Sequence, residues 1–234
     1  MLQNSYGYIN LPTDDELKKM NKPRKEIILS PEQSGKLADI YTAMVEGYDQ
    51  VAAEIGLSCE GCSDNCCDSY FLHHTYSEWA YLWQGLRELP EEERKAIIGR
   101  AEKYVQESRA QLARQQRPQI KCPLLNKNGL CGLYNHRLLV CRMHGIPATM
   151  TRPDGRSMRF PGCFRCQEIV NDEKKYPLEQ DAPAMDRTPL FREMVSLESS
   201  LLGDKRHLFP RVKLTIAEMI VQGPPAVDTP FCER

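Results

Sequence analysis

The residues in this sequence most able to do chemistry are its ten cysteines, none of which comes before position 59. Four of them fall within nine residues, in the order C-E-G-C-S-D-N-C-C: Cys59, Cys62, Cys66 and Cys67. Two residues between a pair of cysteines let the chain fold back so that both sulfurs reach one metal ion at about 2.3 Å. Gly61 supplies the backbone freedom for such a turn. Because the intervening residues are polar, this group predicts a metal-binding knuckle rather than a core segment.

The adjacent pair Cys66 and Cys67 adds a second indication. Neighbouring side chains in extended backbone point in different directions, so the two thiolates more easily serve different metal ions. Alternatively, one of them binds a metal while the other packs. The pair therefore indicates more than one metal ion.

Five further cysteines are spread through the next hundred residues: Cys122, Cys131, Cys141, Cys163 and Cys166. Their spacings are irregular, which fits ligands that are gathered from several loops. An isolated free cysteine is more often a small buried hydrophobe, and this is our interpretation of Cys232 near the end of the sequence.

The charges of the chain nearly cancel, with 31 basic and 32 acidic residues, but they are unevenly placed. Between Pro118 and Cys166 there are eight basic residues and one acidic residue: Lys121, Lys127, Arg137, Arg142, Arg152, Arg156, Arg159 and Arg165 against Asp154. Such a patch can offset the negative charge of metal-bound thiolates. The alternative is a nucleic-acid face; we favour the first, and expect no nucleic-acid partner. The sequence identifies no protein partner.

Several other side chains near the cysteines could assist a metal site. His144, and His73 with His74, are potential ligands or proton carriers, although an isolated histidine is more often structural. The phenol of Tyr134 can donate to a sulfur, and the guanidinium of Arg137 can offset thiolate charge. Packing and a surface ion pair are the alternative roles for this last pair. No catalytic residue can be named from the sequence.

These motifs together resemble the bacterial cysteine-cluster family known as CxxCxxCC, whose members are described as zinc- or iron-chelating. The resemblance covers roughly residues 57 to 167. It rests on four elements in order: Cys59, Cys62, Cys66 and Cys67; Cys122 with Leu124; Cys131, Leu133, Tyr134, Arg137, Cys141 and Arg142; and a last cysteine, either Cys163 or Cys166. The sequence departs from the family pattern at Leu138, where the family usually has proline.

What the resemblance implies is metal binding by about eight cysteines, drawn here from nine candidates that end with Cys163 and Cys166. Zinc would make the protein a structural or partner-binding module, whereas iron or an iron–sulfur cluster would allow redox chemistry or electron transfer. A related cluster in flagellin lysine N-methylase makes a protein lysine methylase-related enzyme a further alternative. A thiol–disulfide exchanger would need a metal-free C-x-x-C pair, for which Cys163 and Cys166 are the candidates.

Helix signals surround the first cysteine group. The S-P-E-Q of residues 30–33 predicts a helix start with a serine cap, and apolar residues at helical spacing continue to Gly56, which ends that helix. Ser77 predicts the cap of a second helix, and a third is expected from about Pro90 to Gln116. We expect the last two to pack antiparallel and to bring the two cysteine groups together.

Beyond residue 141, short alternating runs on both sides of a Pro-Asp-Gly turn predict a small hairpin at residues 148–160. The charged, proline-rich stretch 171–188 predicts a loop, and helices are expected at 189–202 and about 213–221. The hairpin would return Cys163 and Cys166 toward the first cysteine group.

The predicted fold is mainly α with a small β-hairpin, and its Cys-rich metal centre lies in loops between helices. We expect residues 1–29 to be a surface arm and residues 30–234 to form a single helical domain that contains the metal-binding region 57–167. The first residues lack a basic head followed by an apolar stretch, so no secretory signal is expected. The expected compartment is the cytoplasm, where disulfides are rare. No apolar run approaches the roughly 20 residues that span a bilayer.

Overall fold

The computed structural model describes residues 24–60, 66–172 and 175–228, of which 55% are helical. This part of the chain contains seven α-helices: α1 (Pro31–Ile55), α2 (Tyr76–Glu88), α3 (Glu91–Ala113), α4 (Leu139–Met143), α5 (Phe164–Val170), α6 (Thr188–Leu202) and α7 (Ile216–Val221). It also contains five short strands: β1 (Arg24–Glu26), β2 (Ala148–Thr151), β3 (Ser157–Phe160), β4 (Met185–Asp186) and β5 (Ala226–Asp228). The predicted mainly α, single-domain fold is confirmed.

The first helix, α1, begins and ends where the sequence predicts. The Ser30 side chain accepts a hydrogen bond from the Gln33 N–H at 3.2 Å, and the Gln33 side chain accepts from the Ser30 N–H at 3.0 Å. Gly56 ends the helix with a φ of 77°, which an L side chain rarely adopts. The inward stripe of α1 includes Leu37 and Met44, both fully buried in the largest hydrophobic cluster. Burying each such side chain contributes about 1.5–3 kcal/mol.

The second helix, α2, is capped by Thr75 and not by Ser77, so that prediction was wrong. The Thr75 hydroxyl oxygen accepts from the Glu78 N–H at 3.3 Å. The carboxylate of Glu198 on α6 accepts the N–H groups of Tyr76 at 2.8 Å and Ser77 at 2.9 Å. Thr75 and Glu78 have the T-x-x-E spacing of a helix start, a local signal that the prediction overlooked, and Glu198 adds a tertiary contact to the first turn.

The third helix, α3, ends at Ala113, three residues before the predicted end. Its main packing partner is α7 rather than α2, although α2 and α3 contribute to the same hydrophobic cluster. The indole N–H groups of Trp79 and Trp83 on α2 both donate to the Met219 carbonyl on α7, each at 3.0 Å. The short helix α7 therefore contacts both of the longer helices, α2 and α3.

The predicted hairpin is present as the antiparallel pair β2 and β3, with Thr149 opposite Arg159. Gly155 in its turn has a φ of 81°. The stretch 171–188, predicted as a loop, contributes the two-residue strand β4, which pairs parallel to β2. A strand of two residues carries no periodicity, so the sequence could not predict it.

The described residues at the start of the chain belong to the fold. Strand β1 pairs antiparallel with β5. Leu29 is buried in the same hydrophobic cluster as the inward stripe of α1. Residues 1–23 of the predicted surface arm lie outside the described part of the chain, and the domain boundary stays a prediction. Within the part of the chain that is described, no helix is both long enough and apolar enough to cross a lipid bilayer.

Candidate metal site

The end of the first cysteine group and the start of the second are adjacent in space. The Cys122 N–H donates to the Cys67 carbonyl at 2.8 Å. One residue after Cys67 and two residues before Cys122, the Ile120 N–H donates to the Asp68 carbonyl at 3.2 Å. Ser69 then forms an antiparallel bridge with Gln119. The long insertion that carries α2 and α3 therefore leaves this place and returns to it.

A tight loop then turns Cys131 back toward Cys122. The Asn126 side-chain oxygen accepts from the N–H groups of Asn128 at 2.9 Å and Leu130 at 3.0 Å. Cys131 forms an antiparallel bridge with Leu125, which closes the loop.

The loop is anchored on its inner side by the leucines that accompany the cysteines in the family pattern. Leu124 and Leu133 are buried in the cluster shared by α2, α3 and α7. The Arg100 side chain on α3 donates to the Pro123 carbonyl at 2.8 Å.

Cys141 lies in the short helix α4, whose start is held by a buried carboxylate. Glu78 of α2 accepts from the Leu139 N–H at 2.7 Å and from the hydroxyl of Tyr41 at 3.3 Å. Burial raises the pKa of Glu78, and its hydrogen bonds act in the opposite direction. Leu138, where the family pattern has proline, has a φ of −78°, a value that proline also adopts. The departure from the pattern therefore leaves the local backbone compatible with it.

Four thiols come together by this folding; we call Cys67, Cys122, Cys131 and Cys141 the inner cysteines. Burial, together with smaller contributions from the nearby sulfurs of Cys141 and Cys131, raises the pKa of the Cys122 thiol to about 12. A small cavity of about 50 Å³ lies against three of them, Cys67, Cys122 and Cys141, and its wall includes His73, His144 and Tyr104.

Arg137 lies among the inner cysteines, as the sequence indicated. Its guanidinium donates to the Cys141 carbonyl and lies 5.1 Å from the ring centroid of Tyr134. Burial by itself would lower the pKa of Arg137, but the sulfurs of Cys141 and Cys131 raise it above its usual value. Arg137 is therefore placed to offset thiolate charge.

Arg142 also lies beside Cys141 in sequence, but its side chain binds backbone carbonyls. Its guanidinium donates to the carbonyls of Arg137 at 2.7 Å and Asn135 at 2.8 Å, and it lies 4.4 Å from the ring centroid of Tyr41. These contacts hold the segment between Cys131 and Cys141 in place. Tyr134 itself is 57% exposed, so its phenol is not buried beside a sulfur.

A larger cleft of about 760 Å³ opens beside the inner cysteines. Five cysteines contribute to its wall: Cys59, Cys67, Cys131, Cys141 and Cys163. Cys59 is exposed, and its sulfur lies 4.0 Å from the hydroxyl of Tyr48. Arg165 donates to the Glu60 carbonyl at 3.0 Å and ties the last cysteine segment to the first. The cleft thus collects thiols from both ends of the cysteine-rich region.

The last two cysteines, which we call the outer pair, differ from each other. Cys163 precedes α5, and its N–H donates to the Gly145 carbonyl at 3.1 Å. Cys166 is fully buried against Ile55 and Val170. Burial raises the pKa of the Cys166 thiol to about 12, with a further contribution from Cys163. Its surroundings are those of a core residue.

The predicted ligands therefore fall into distinct places. The predicted ligand Cys62 and the side chain of the predicted ligand Cys66 lie outside the described part of the chain, as does Cys232, which was not predicted to bind metal. Among the residues that are described, no three His, Cys, Asp or Glu side chains stand close enough together to hold a metal ion without moving. Which cysteines bind metal stays a prediction. The sequence missed the contribution of α3 and α7 to the small cavity, since Tyr104 and Thr215 carry no metal-site signal.

The donors present fit zinc or iron. Thiolate and imidazole ligands suit both metals, and cavities with such donors bind them in preference to Mg²⁺ or Ca²⁺. His73 supports the fit, because it is 1% exposed and neither of its ring nitrogens has a hydrogen-bond partner among the described residues. Burial lowers the pKa of His73 to about 3, with a smaller contribution from His74.

Comparison with known proteins supports the same chemistry. Residues 58–156 match the family model named CxxCxxCC, whose description is "Putative zinc- or iron-chelating domain". No curated protein and no solved structure matches the chain. Over residues 58–156, the chain is therefore similar to the CxxCxxCC family, in agreement with the resemblance found in the sequence.

Proposed function

We propose that this protein holds a zinc or iron ion at the inner cysteines and that the ion stabilises the fold around them. The observation that carries the proposal is the hydrogen bond of 2.8 Å from the Cys122 N–H to the Cys67 carbonyl. It joins two cysteine segments that are separated by two long helices in sequence. Cys131 and Cys141 then lie within electrostatic range of Cys122, and Cys67 lies within that range of Arg137.

The structural role follows from what the inner cysteines connect. They come from the segment before α2, the loop after α3 and the helix α4, so one ion would link three separate parts of the fold. Four-coordinate zinc with cysteine or cysteine and histidine ligands is the usual structural site. Binding free energies of such sites reach about 10–16 kcal/mol in peptides, which is comparable with the stability of a whole domain.

The remaining predicted ligands have a secondary place in this proposal. Cys59 and Cys163 line the larger cleft beside Cys131 and are proposed ligands of a second ion there. Cys62 and Cys66 stay predicted ligands from the sequence. Cys166 is given no ligand role, because it is packed among apolar side chains. The cytoplasmic location and the absence of a nucleic-acid partner stay predictions.

Metal content and proteolysis together test the proposal. Protein purified without oxygen should carry zinc or iron by elemental analysis; colourless zinc protein favours the structural role, and brown protein favours an iron–sulfur centre and electron transfer. Removing the ion with a chelator should expose residues 57–167 to limited proteolysis before α6. Protein that is purified without metal, and that takes up none when zinc or iron is added, would contradict metal binding. Equal protease resistance with and without the ion would contradict the structural role.

A further inference from the structure

His73 is held firmly by its backbone while its side chain is left without a hydrogen bond. The His73 N–H donates to the Leu214 carbonyl at 2.8 Å, and the Leu214 N–H donates to the His73 carbonyl at 3.1 Å. The imidazole is 1% exposed, and neither ring nitrogen has a hydrogen-bond partner in the described part of the chain. Leaving a buried polar group in this state is costly, so we expect a bound ion or a buried water molecule to satisfy the imidazole.

Other histidines of the chain do have partners. The exposed His74 has its Nδ1 at 3.2 Å from the Val212 carbonyl oxygen. His136 lies against the ring of Tyr81, with its Nε2 at 3.9 Å from Glu88. The unpartnered state is therefore a property of the place that His73 occupies.

That place is the small cavity beside the inner cysteines. His73 forms part of its wall together with Cys67, Cys122 and Cys141. A volume of about 50 Å³ accommodates one ion or one water molecule. Cys131 is absent from this wall and lines the larger cleft instead.

We propose that His73 is a nitrogen ligand of the ion at the inner cysteines, completing a site of one histidine and three cysteines with Cys67, Cys122 and Cys141. The inference rests on the proposed function and names its ligand set. Three thiolates and one imidazole are an established combination for tetrahedral zinc. Because the four groups face one cavity without being in contact distance of a common ion, binding requires their side chains to turn inward.

X-ray absorption of the zinc-loaded wild-type chain tests the ligand set directly. We expect one nitrogen and three sulfur neighbours around zinc. The variant His73→Leu should bind zinc at least tenfold more weakly in competition with a chromophoric chelator, because it removes one of four ligands. The variant His73→Cys should retain zinc with a shell of sulfur only. His74→Leu is the matched control, and its zinc affinity should equal that of the wild type.

The outcomes separate this inference from the proposed function. A wild-type protein that takes up no metal contradicts the function itself. A wild-type protein that binds zinc with sulfur neighbours only overturns the role of His73, and a buried water then satisfies its ring. If His73→Leu fails to fold, the wild-type spectrum and His73→Cys still decide. An unchanged neighbour shell in His73→Cys also overturns the inference.

Discussion

The inner cysteines and the outer pair show how differently cysteines can be used within one chain. The inner four come from three separate segments, and the half-buried Arg137 lies among them. The outer pair, Cys163 and Cys166, comes from a single turn with C-x-x-C spacing, and the second thiol is packed against Ile55 and Val170. The regular spacing therefore belongs to a pair that is close through sequence alone, whereas the irregular spacings of eight and nine residues belong to thiols that the fold brings together.

The difference teaches that distant thiols come together through the path that the chain takes in the fold, and not through the local spacing of cysteines. Cys67 and Cys122 meet because α2 and α3 lead away from the site and back to it. Cys166 is carried inward by α5 into an apolar cluster. A thiol in such a cluster contributes as a small hydrophobe.

Replacing one cysteine from each group is expected to give the largest difference. Cys122→Ser should lose the ion of the inner site, because a hydroxyl is a poor ligand for zinc compared with a thiolate. Cys166→Ser should keep the ion and lose about 1–3 kcal/mol of folding free energy, because it buries a hydroxyl among apolar groups. Elemental analysis and chemical unfolding measure the two effects. Loss of the inner ion in Cys166→Ser, with the fold intact, would remove the distinction between the groups.

Arg137 provides a smaller effect on the same comparison. Arg137→Gln should weaken metal binding by about ten- to a hundredfold, the range observed when groups around metal ligands are removed. Its guanidinium lies within electrostatic range of Cys131 and Cys141, so its charge offsets that of the thiolates. The matched control is Arg156→Gln, since Arg156 is 80% exposed and pairs weakly with Asp154 in the hairpin turn. A control variant with the same loss of affinity would attribute the effect to general charge instead.

Much of the scaffold could be predicted because its signals are local. The Ser30 cap, the Gly56 end and the hairpin turn each use residues within a few positions of one another. The cap of α2 is equally local, since Thr75 accepts from the Glu78 N–H, and the prediction of Ser77 overlooked it. The contact of Glu198 with the first N–H groups, from 121 and 122 residues away, could not be predicted.

The candidate site shows the same division. The sequence placed Arg137 near the thiols through the family pattern, and the structure brings them together. It could not distinguish Cys166 from the inner cysteines, because burial among apolar neighbours depends on α1 and α5 meeting. It also left His73 ambiguous, since the cavity beside it is closed by residues of α3 and α7.

The smallest expected effect concerns Glu78, which supports the inner side of the comparison by holding the first residue of α4. Burial raises its pKa in the folded protein above the ordinary value of 4.5. The folded state therefore binds the proton more tightly, and this contribution to stability is lost as the pH rises through the raised pKa. Glu78→Gln should cost about 1–2 kcal/mol at pH 4.5, and the cost should shrink toward pH 7. Urea unfolding at several pH values measures this difference, with the exposed Glu107→Gln as control. A cost that grows with pH would show that the hydrogen bonds from Leu139 and Tyr41 outweigh burial.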